Sequence, residues 1–199
     1  MAQIISTKKK LLSKWTTRDL MITAVISIVF AIILLFVSYM FILFIRPLGL
    51  LAQTLGQGIW FIPAIFMGDI LRRPGAVVLS QLMIRIILVP ISPYGWMELV
   101  GAFIVGVPIE LVFYGTRYRN YSLFVLMLSG ISAGLLRTTV AWVPYGLNEL
   151  SMEFQMIVVV LTIISGVAAG WFAKVLADAI AKTGVLSSYA IGHEYQEEV

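Results

Sequence analysis

The run from Leu20 to Ile45 contains no charged residue. Crossing a bilayer core takes about 20 apolar residues in a helix. A stretch this long and this apolar is too long for the core of a signal peptide, and no small-residue cleavage site follows it. It reads as an uncleaved first membrane helix. Lipid offers no partner to backbone N–H and C=O groups, so the other apolar runs must satisfy their own backbone as helices too. The whole chain agrees with this start. It is 60% hydrophobic and only 12% charged, where soluble domains carry about 25% charged residues. Its mean hydropathy is +0.99. The fold class expected is an all-α integral membrane protein, a compact bundle of about six transmembrane helices.

Turn signals divide the chain. Residues 1–18 form a basic segment with Lys8, Lys9, Lys10, Lys14 and Arg18, and Thr16 or Thr17 is placed to cap the helix ahead of Asp19. The break Arg46-Pro47-Leu48-Gly49 ends the first span. Residues 46–58 are expected as a loop or a partly inserted segment, with a second span over 58–71 bent at Pro63. Further spans are expected over 76–90, from the turn at 92–95 to Arg117, over 121–143 and over 152–181. The membrane domain is therefore 19–182, followed by a polar tail, 183–199.

Lysine and arginine fix the expected orientation. With the N-terminus inside, the basic cluster, Arg72, Arg73, Arg117, Arg119, Lys174 and Lys182 are all cytoplasmic, and only Arg46 falls in an outer loop. An even number of spans then leaves both termini cytoplasmic. The net charge of +4 follows from these flanking residues and is no sign of a nucleic-acid partner.

Several chemistries are excluded by inventory. Cysteine is absent and His193 is the one histidine, which removes thiol catalysis, Cys-ligated metals, His-triad metal sites and Ser-His hydrolysis. No GxxxxGK[ST] phosphate loop occurs, so the chain cannot hydrolyse ATP by that route. No catalytic residue, metal or cofactor is expected. A self-contained secondary transporter remains a competing class, although no internal repeat supports it.

Ionisable groups within spans are costly and point to a site or to pairing. Counting depth at about 1.5 Å per residue sets Arg85 and Arg137 at similar levels below the outer ends of their helices. Glu98, Asn148, Glu149 and Glu153 lie at that outer level, with Tyr94, Trp96, Trp142 and Tyr145 around them. These residues predict an outward-facing pocket for a small, flat, water-soluble ligand. The bland alternatives are an interfacial aromatic belt for the rings and buried ion pairs for the arginines. Glu110 lies about 18 Å from Glu98 along an ideal helix, and either a pocket role or a structural role is open to it. Stripes of small residues suggest helix contacts: Ala24, Ser27 and Ala31 in the first span, Ala102 and Gly106 in the fourth, and Gly166, Ala169, Gly170, Ala173 and Ala177 in the sixth.

Four blocks carry a resemblance: ITAVISIVFA (Ile22 to Ala31), LRRPGAVVLS (Leu71 to Ser80), VFYGTRYRNYSLFVLMLSG (Val112 to Gly130) and ADAIAKTGVL (Ala177 to Leu186). Together they resemble the YkoE-like S components of energy-coupling factor (ECF) vitamin transporters, a family linked to thiamine and its hydroxymethylpyrimidine precursor. The resemblance implies a six-helix subunit of the bacterial cell membrane that binds a vitamin from outside. It implies partners too: a transmembrane coupling subunit and two cytoplasmic ATPases. By position it assigns ligand contact to Trp96, Glu98, Trp142, Tyr145, Asn148, Glu149 and Glu153, with Arg85 and Arg137 added from the depth count. It assigns docking on the coupling subunit to Ala24, Ser27 and Ala31. Pyridoxine or an anionic vitamin is the alternative ligand, since two deep arginines suit it.

Overall fold

The computed structural model describes residues 15–144 and 146–183. Its regular elements are helices: α1 (Thr17–Met40), α2 (Leu50–Gly56), α3 (Ile62–Leu71), α4 (Ala76–Leu88), α5 (Met97–Gly115), α6 (Leu123–Ala141) and α7 (Met152–Lys182). Tyr145, the lysines of residues 1–14, His193 and the tail beyond residue 183 lie outside the described residues.

Thr16 is the cap of α1. Its hydroxyl accepts the Asp19 N–H, and the Asp19 carboxylate accepts the Thr16 N–H at 2.8 Å, a reciprocal box that satisfies two otherwise orphaned donors. The helix leaves α geometry at a π-helical turn, Phe41–Ile45, followed by a 3-10 turn, Arg46–Leu48.

Residues 46–58 differ from the expected loop. They contain α2 and run into a 3-10 turn, Gln57–Trp60, which feeds α3. Leu50–Leu71 is thus one span, beginning earlier than the glycine-punctuated sequence suggests. Pro63 sits in the first turn of α3, where its missing N–H would have had no helical partner, so it marks a helix start and not a mid-span bend. Among the described residues, five helical stretches are long and apolar enough to cross a membrane, and α4, with 13 residues, is the shorter sixth.

The cationic turns meet at one end of the bundle. Arg73 pairs with Asp19 at 3.3 Å, and the Trp15 indole donates to the Pro74 carbonyl. Asp69, fully buried, takes Arg72 at 3.3 Å and Lys174 at 3.2 Å, and Lys174 also reaches Asp178. Glu110 belongs to this end. Its carboxylate accepts the backbone N–H groups of Gly75 (2.7 Å) and Val77 (3.1 Å) at the start of α4 and the Tyr118 hydroxyl (2.7 Å). It therefore caps a helix N-terminus, where a negative charge also meets the positive end of the dipole. Burial, and then the bond to Glu110, push the Tyr118 phenol pKa upward, so the ring stays a donor at neutral pH.

Small residues let α6 and α7 touch. Gly130 and Gly166 place their backbones in direct contact, and a Cβ on Gly170 would lie 2.5 Å from the Leu126 carbonyl oxygen. The same physics bears on the small stripe of α1. Ser27 is fully buried, Ala31 is 1% exposed and Ala24 is half-buried. The Ser27 hydroxyl points at the Ser80 carbonyl of α4, 3.5 Å away. Ser27 and Ala31 thus pack inside the bundle, since a small stripe serves an internal neighbour as well as an external one, while Ala24 keeps part of its surface open.

Candidate functional site

At the opposite end from the cationic turns, six segments surround a cavity of about 460 Å³. This lies within the usual 300–1,000 Å³ of small-molecule sites. The π-helical turn carries Phe41 onto its wall, segment 50–60 carries Gln53, Thr54, Gln57 and Trp60, and α4 carries Arg85. Glu98 and Gly101 come from α5, Arg137 and Thr138 from α6, and Val158 from α7.

Arg85, Glu98 and Arg137 therefore line one hollow. Arg85 is 4% exposed and Glu98 2%. The Arg85 guanidinium donates from Nη1 to Glu98 Oε2, and Glu98 Oε1 accepts the Ser92 hydroxyl at 2.7 Å. Two charges leave water together here, and each compensates the other. Gly101 makes room for the pair: a Cβ there would lie 3.7 Å from Arg85 Nη1.

Arg137 is held differently. Its guanidinium carbon lies 5.2 Å from the centre of the Trp60 ring, within cation–π range. Trp60 in turn meets Phe41 edge-on, with ring centres 4.6 Å apart. A neutral polar cluster sits beside them: Gln57 Nε2 donates to Thr162 Oγ1 at 3.1 Å, and the Thr138 and Thr162 hydroxyls share a 2.9 Å hydrogen bond. The cavity thus offers aromatic faces, a compensated ion pair, a second guanidinium and amide and hydroxyl groups. That set suits a planar heterocycle with hydrogen-bonding edges.

Trp96, Trp142, Asn148, Glu149 and Glu153 do not line this cavity. Trp96 is 77% exposed. It precedes Glu98 by two positions, about 200° around a helix, so turning Glu98 inward turns Trp96 out. Trp142 is half-buried and ends α6. Asn148 and Glu149 are exposed on a 3-10 turn, where their neighbour Leu147 takes the inward position. Glu153 is exposed on the first turn of α7. Conversely, Gln53, Thr54 and Gln57 are not expected from the sequence, and Trp60 reads there as a ring of the interfacial belt, yet all four line the cavity. Polar residues at positions 53, 54 and 57, at i, i+1 and i+4 in an otherwise apolar stretch, were the available signal, since 53 and 57 share a helix face.

Comparisons with known proteins fit this architecture. The family described as "ABC-type cobalt transport system, permease component" matches residues 18–136, more than half of the chain. A Bacillus subtilis (strain 168) protein named "Putative HMP/thiamine permease protein YkoE" is 31% identical over 189 residues, covering 94% of this chain and 95% of its own. A solved crystal structure of an S component of an ECF transporter superposes with a TM-score of 0.87 at 32% identity, covering 93% of this chain and 95% of that one. These relatives are transport proteins and not enzymes.

Proposed function

The chain belongs to the YkoE-like family of ECF transporter S components, and on that premise we propose that it captures a vitamin bearing an aminopyrimidine ring, hydroxymethylpyrimidine or thiamine. Membership makes it a multi-pass protein of the bacterial cell membrane. The observation that carries the ligand class is the cavity in which Arg85 is neutralised by Glu98 and Arg137 lies over Trp60. Neither guanidinium is a bare charge that demands an anion, which favours a neutral heterocyclic ring over an anionic vitamin. An aminopyrimidine presents N–H donors and ring-nitrogen acceptors along its edges. Carboxylate, amide and hydroxyl groups answer both, and Trp60 and Phe41 offer ring surfaces for stacking.

In this reading the cavity end faces outward and the cationic end faces the cytoplasm, as the lysine and arginine distribution favours. The bound vitamin passes inward with a transmembrane coupling subunit powered by two ATPases, because the chain has no phosphate loop of its own.

The test is calorimetric titration of the purified full-length protein in lipid nanodiscs against hydroxymethylpyrimidine, thiamine, pyridoxine and riboflavin. Saturable one-to-one binding of either aminopyrimidine, with pyridoxine and riboflavin inert, supports the reading. Binding of pyridoxine alone, or of none of the four, overturns it. Uptake by cells expressing this chain without coupling and ATPase subunits would instead show a secondary transporter.

A further inference from the structure

Three polar side chains at the cavity form a chain of hydrogen bonds with a readable direction. Gln57 comes from the 3-10 turn before α3, Thr138 from α6 and Thr162 from α7. Gln57 and Thr138 line the cavity, and Thr162 stands behind them, fully buried. Gln57 Nε2 donates to Thr162 Oγ1 at 3.1 Å, and the two threonine hydroxyls lie 2.9 Å apart.

Accounting for protons shows which threonine donates. A buried hydroxyl proton without an acceptor is costly. Thr162 Oγ1 already accepts from Gln57, and among the described residues its own proton finds one acceptor, Thr138 Oγ1. Thr162 therefore donates to Thr138. Other threonines of the spans give their proton to the carbonyl four residues back: Thr23 to Asp19, Thr54 to Leu50 and Thr139 to Leu135. Thr138 makes no such bond among the described residues, so its proton is left for the cavity whose wall it forms. Packing holds Thr162 in this pose. A Cβ on Gly134 would come within 2.9 Å of Thr162 Cγ2, and a β-branched side chain has little χ1 freedom in a helix. At the other end, Gln57 commits Nε2 to Thr162 and keeps Oε1, which can only accept, for the cavity.

We propose that Gln57 Oε1 and the Thr138 hydroxyl form one recognition edge, acceptor beside donor, and that Thr162 is the positioning residue that sets its direction. The complementary ligand edge carries an N–H donor beside a ring-nitrogen acceptor. An amino group on the carbon next to a ring nitrogen supplies both. This rests on the aminopyrimidine reading above and sharpens it. A ring with a carbonyl in place of that amino group presents the reverse order, because its neighbouring ring nitrogen carries a proton. Such a ring sets oxygen against Gln57 Oε1 and N–H against the Thr138 proton.

Calorimetric titration of the full chain in lipid nanodiscs with thiamine and with oxythiamine, its 4-oxo analogue, tests this. Wild type should bind thiamine at least about tenfold tighter, the size of one unmade hydrogen bond. Thr162→Val keeps the shape of the side chain and removes the hydroxyl. The Thr138 proton can then turn back to the Gly134 carbonyl, and the preference should fall toward one. Thr162→Ser restores the hydroxyl and should restore the preference. Thr138→Val removes the donor itself and should also lose the preference, which keeps the test open should Thr162→Val fold poorly. Equal affinity of wild type for the two compounds overturns the proposal, since the amide and hydroxyls would then turn over freely. So does a Thr162→Val variant that binds both compounds more weakly at an unchanged ratio, as a merely structural residue would. Binding of neither compound is a different failure, because it overturns the function proposed above.

Discussion

Glu98→Gln is the most informative perturbation, because it keeps the shape of the side chain and removes one charge. Arg85 would then be a cation only 4% exposed, beside an amide in place of its carboxylate. Removing one partner of a buried ion pair costs about 3–5 kcal/mol. For a chain of this length each kcal/mol moves the melting temperature by about 2–4 °C, so the variant should melt roughly 6–20 °C below wild type. The amide oxygen can still accept from Ser92, so the loss belongs to the charge and not to that hydrogen bond. Adding Arg85→Met removes the stranded cation, and the double variant should recover most of the loss, since apolar replacement of both partners is often neutral. Tryptophan fluorescence during heating reads these shifts, and titration with hydroxymethylpyrimidine and thiamine on the same preparations reads binding. The double variant should be stable and bind poorly. Two results would refute the reasoning: a single variant melting with wild type, or a double variant as unstable as the single. Wild-type affinity in the stable double variant would make the pair purely structural.

Other perturbations separate structural from ligand roles. Glu110→Gln weakens the cap on α4 and should cost about 1 kcal/mol in thermal unfolding while leaving vitamin affinity unchanged. Trp60→Leu removes the ring under Arg137 and against Phe41, so titration should show weaker vitamin binding by about 0.5–2 kcal/mol, the worth of a cation–π contact. Ala31→Trp pushes an indole into a position 1% exposed. Overpacking of about 1–3 kcal/mol or more should show as a lowered melting temperature of the isolated protein, before any partner is present.

Charge was the legible part of this sequence. Arg85, Glu98 and Arg137 sit in apolar runs where an ion is expensive, and counting turns was enough to set them at one level; they line one cavity. The rim was less legible because level does not give azimuth. Trp96, Asn148, Glu149 and Glu153 share the level of Glu98 yet point away, and one or two positions of helical phase decide that. The small stripe Ala24, Ser27, Ala31 was ambiguous for a deeper reason. Close packing inside a bundle and docking on another subunit select the same side chains, and the sequence holds no term for which neighbour arrives. Segment 50–60 was hidden by its glycines. Gly56 and Gly58 read as loop, yet each makes room for a tight contact: a Cβ on Gly56 would lie 2.7 Å from the Phe41 ring, and one on Gly58 2.5 Å from the Ser165 carbonyl oxygen.

Those two contacts also explain why a cavity can form at that end of the bundle. Phe41 closes on Gly56 because the π-helical turn delivers it there, and π-turns often mark functional sites. The Gly58 N–H, freed of any β-carbon, reaches Ser165. A thin helical wall is thereby pinned at two points, to α1 and to α7, while its inner face carries the amide and indole that meet the hollow. The clamp at the other end works through charge: Asp19, Asp69 and Glu110 hold the turn from Arg72 to Val77. Ion pairs therefore stiffen the cationic end, and the Gly56 and Gly58 contacts stiffen segment 50–60 at the cavity end. A ligand that meets Gln57 and Trp60 on that segment therefore meets a wall already held in place.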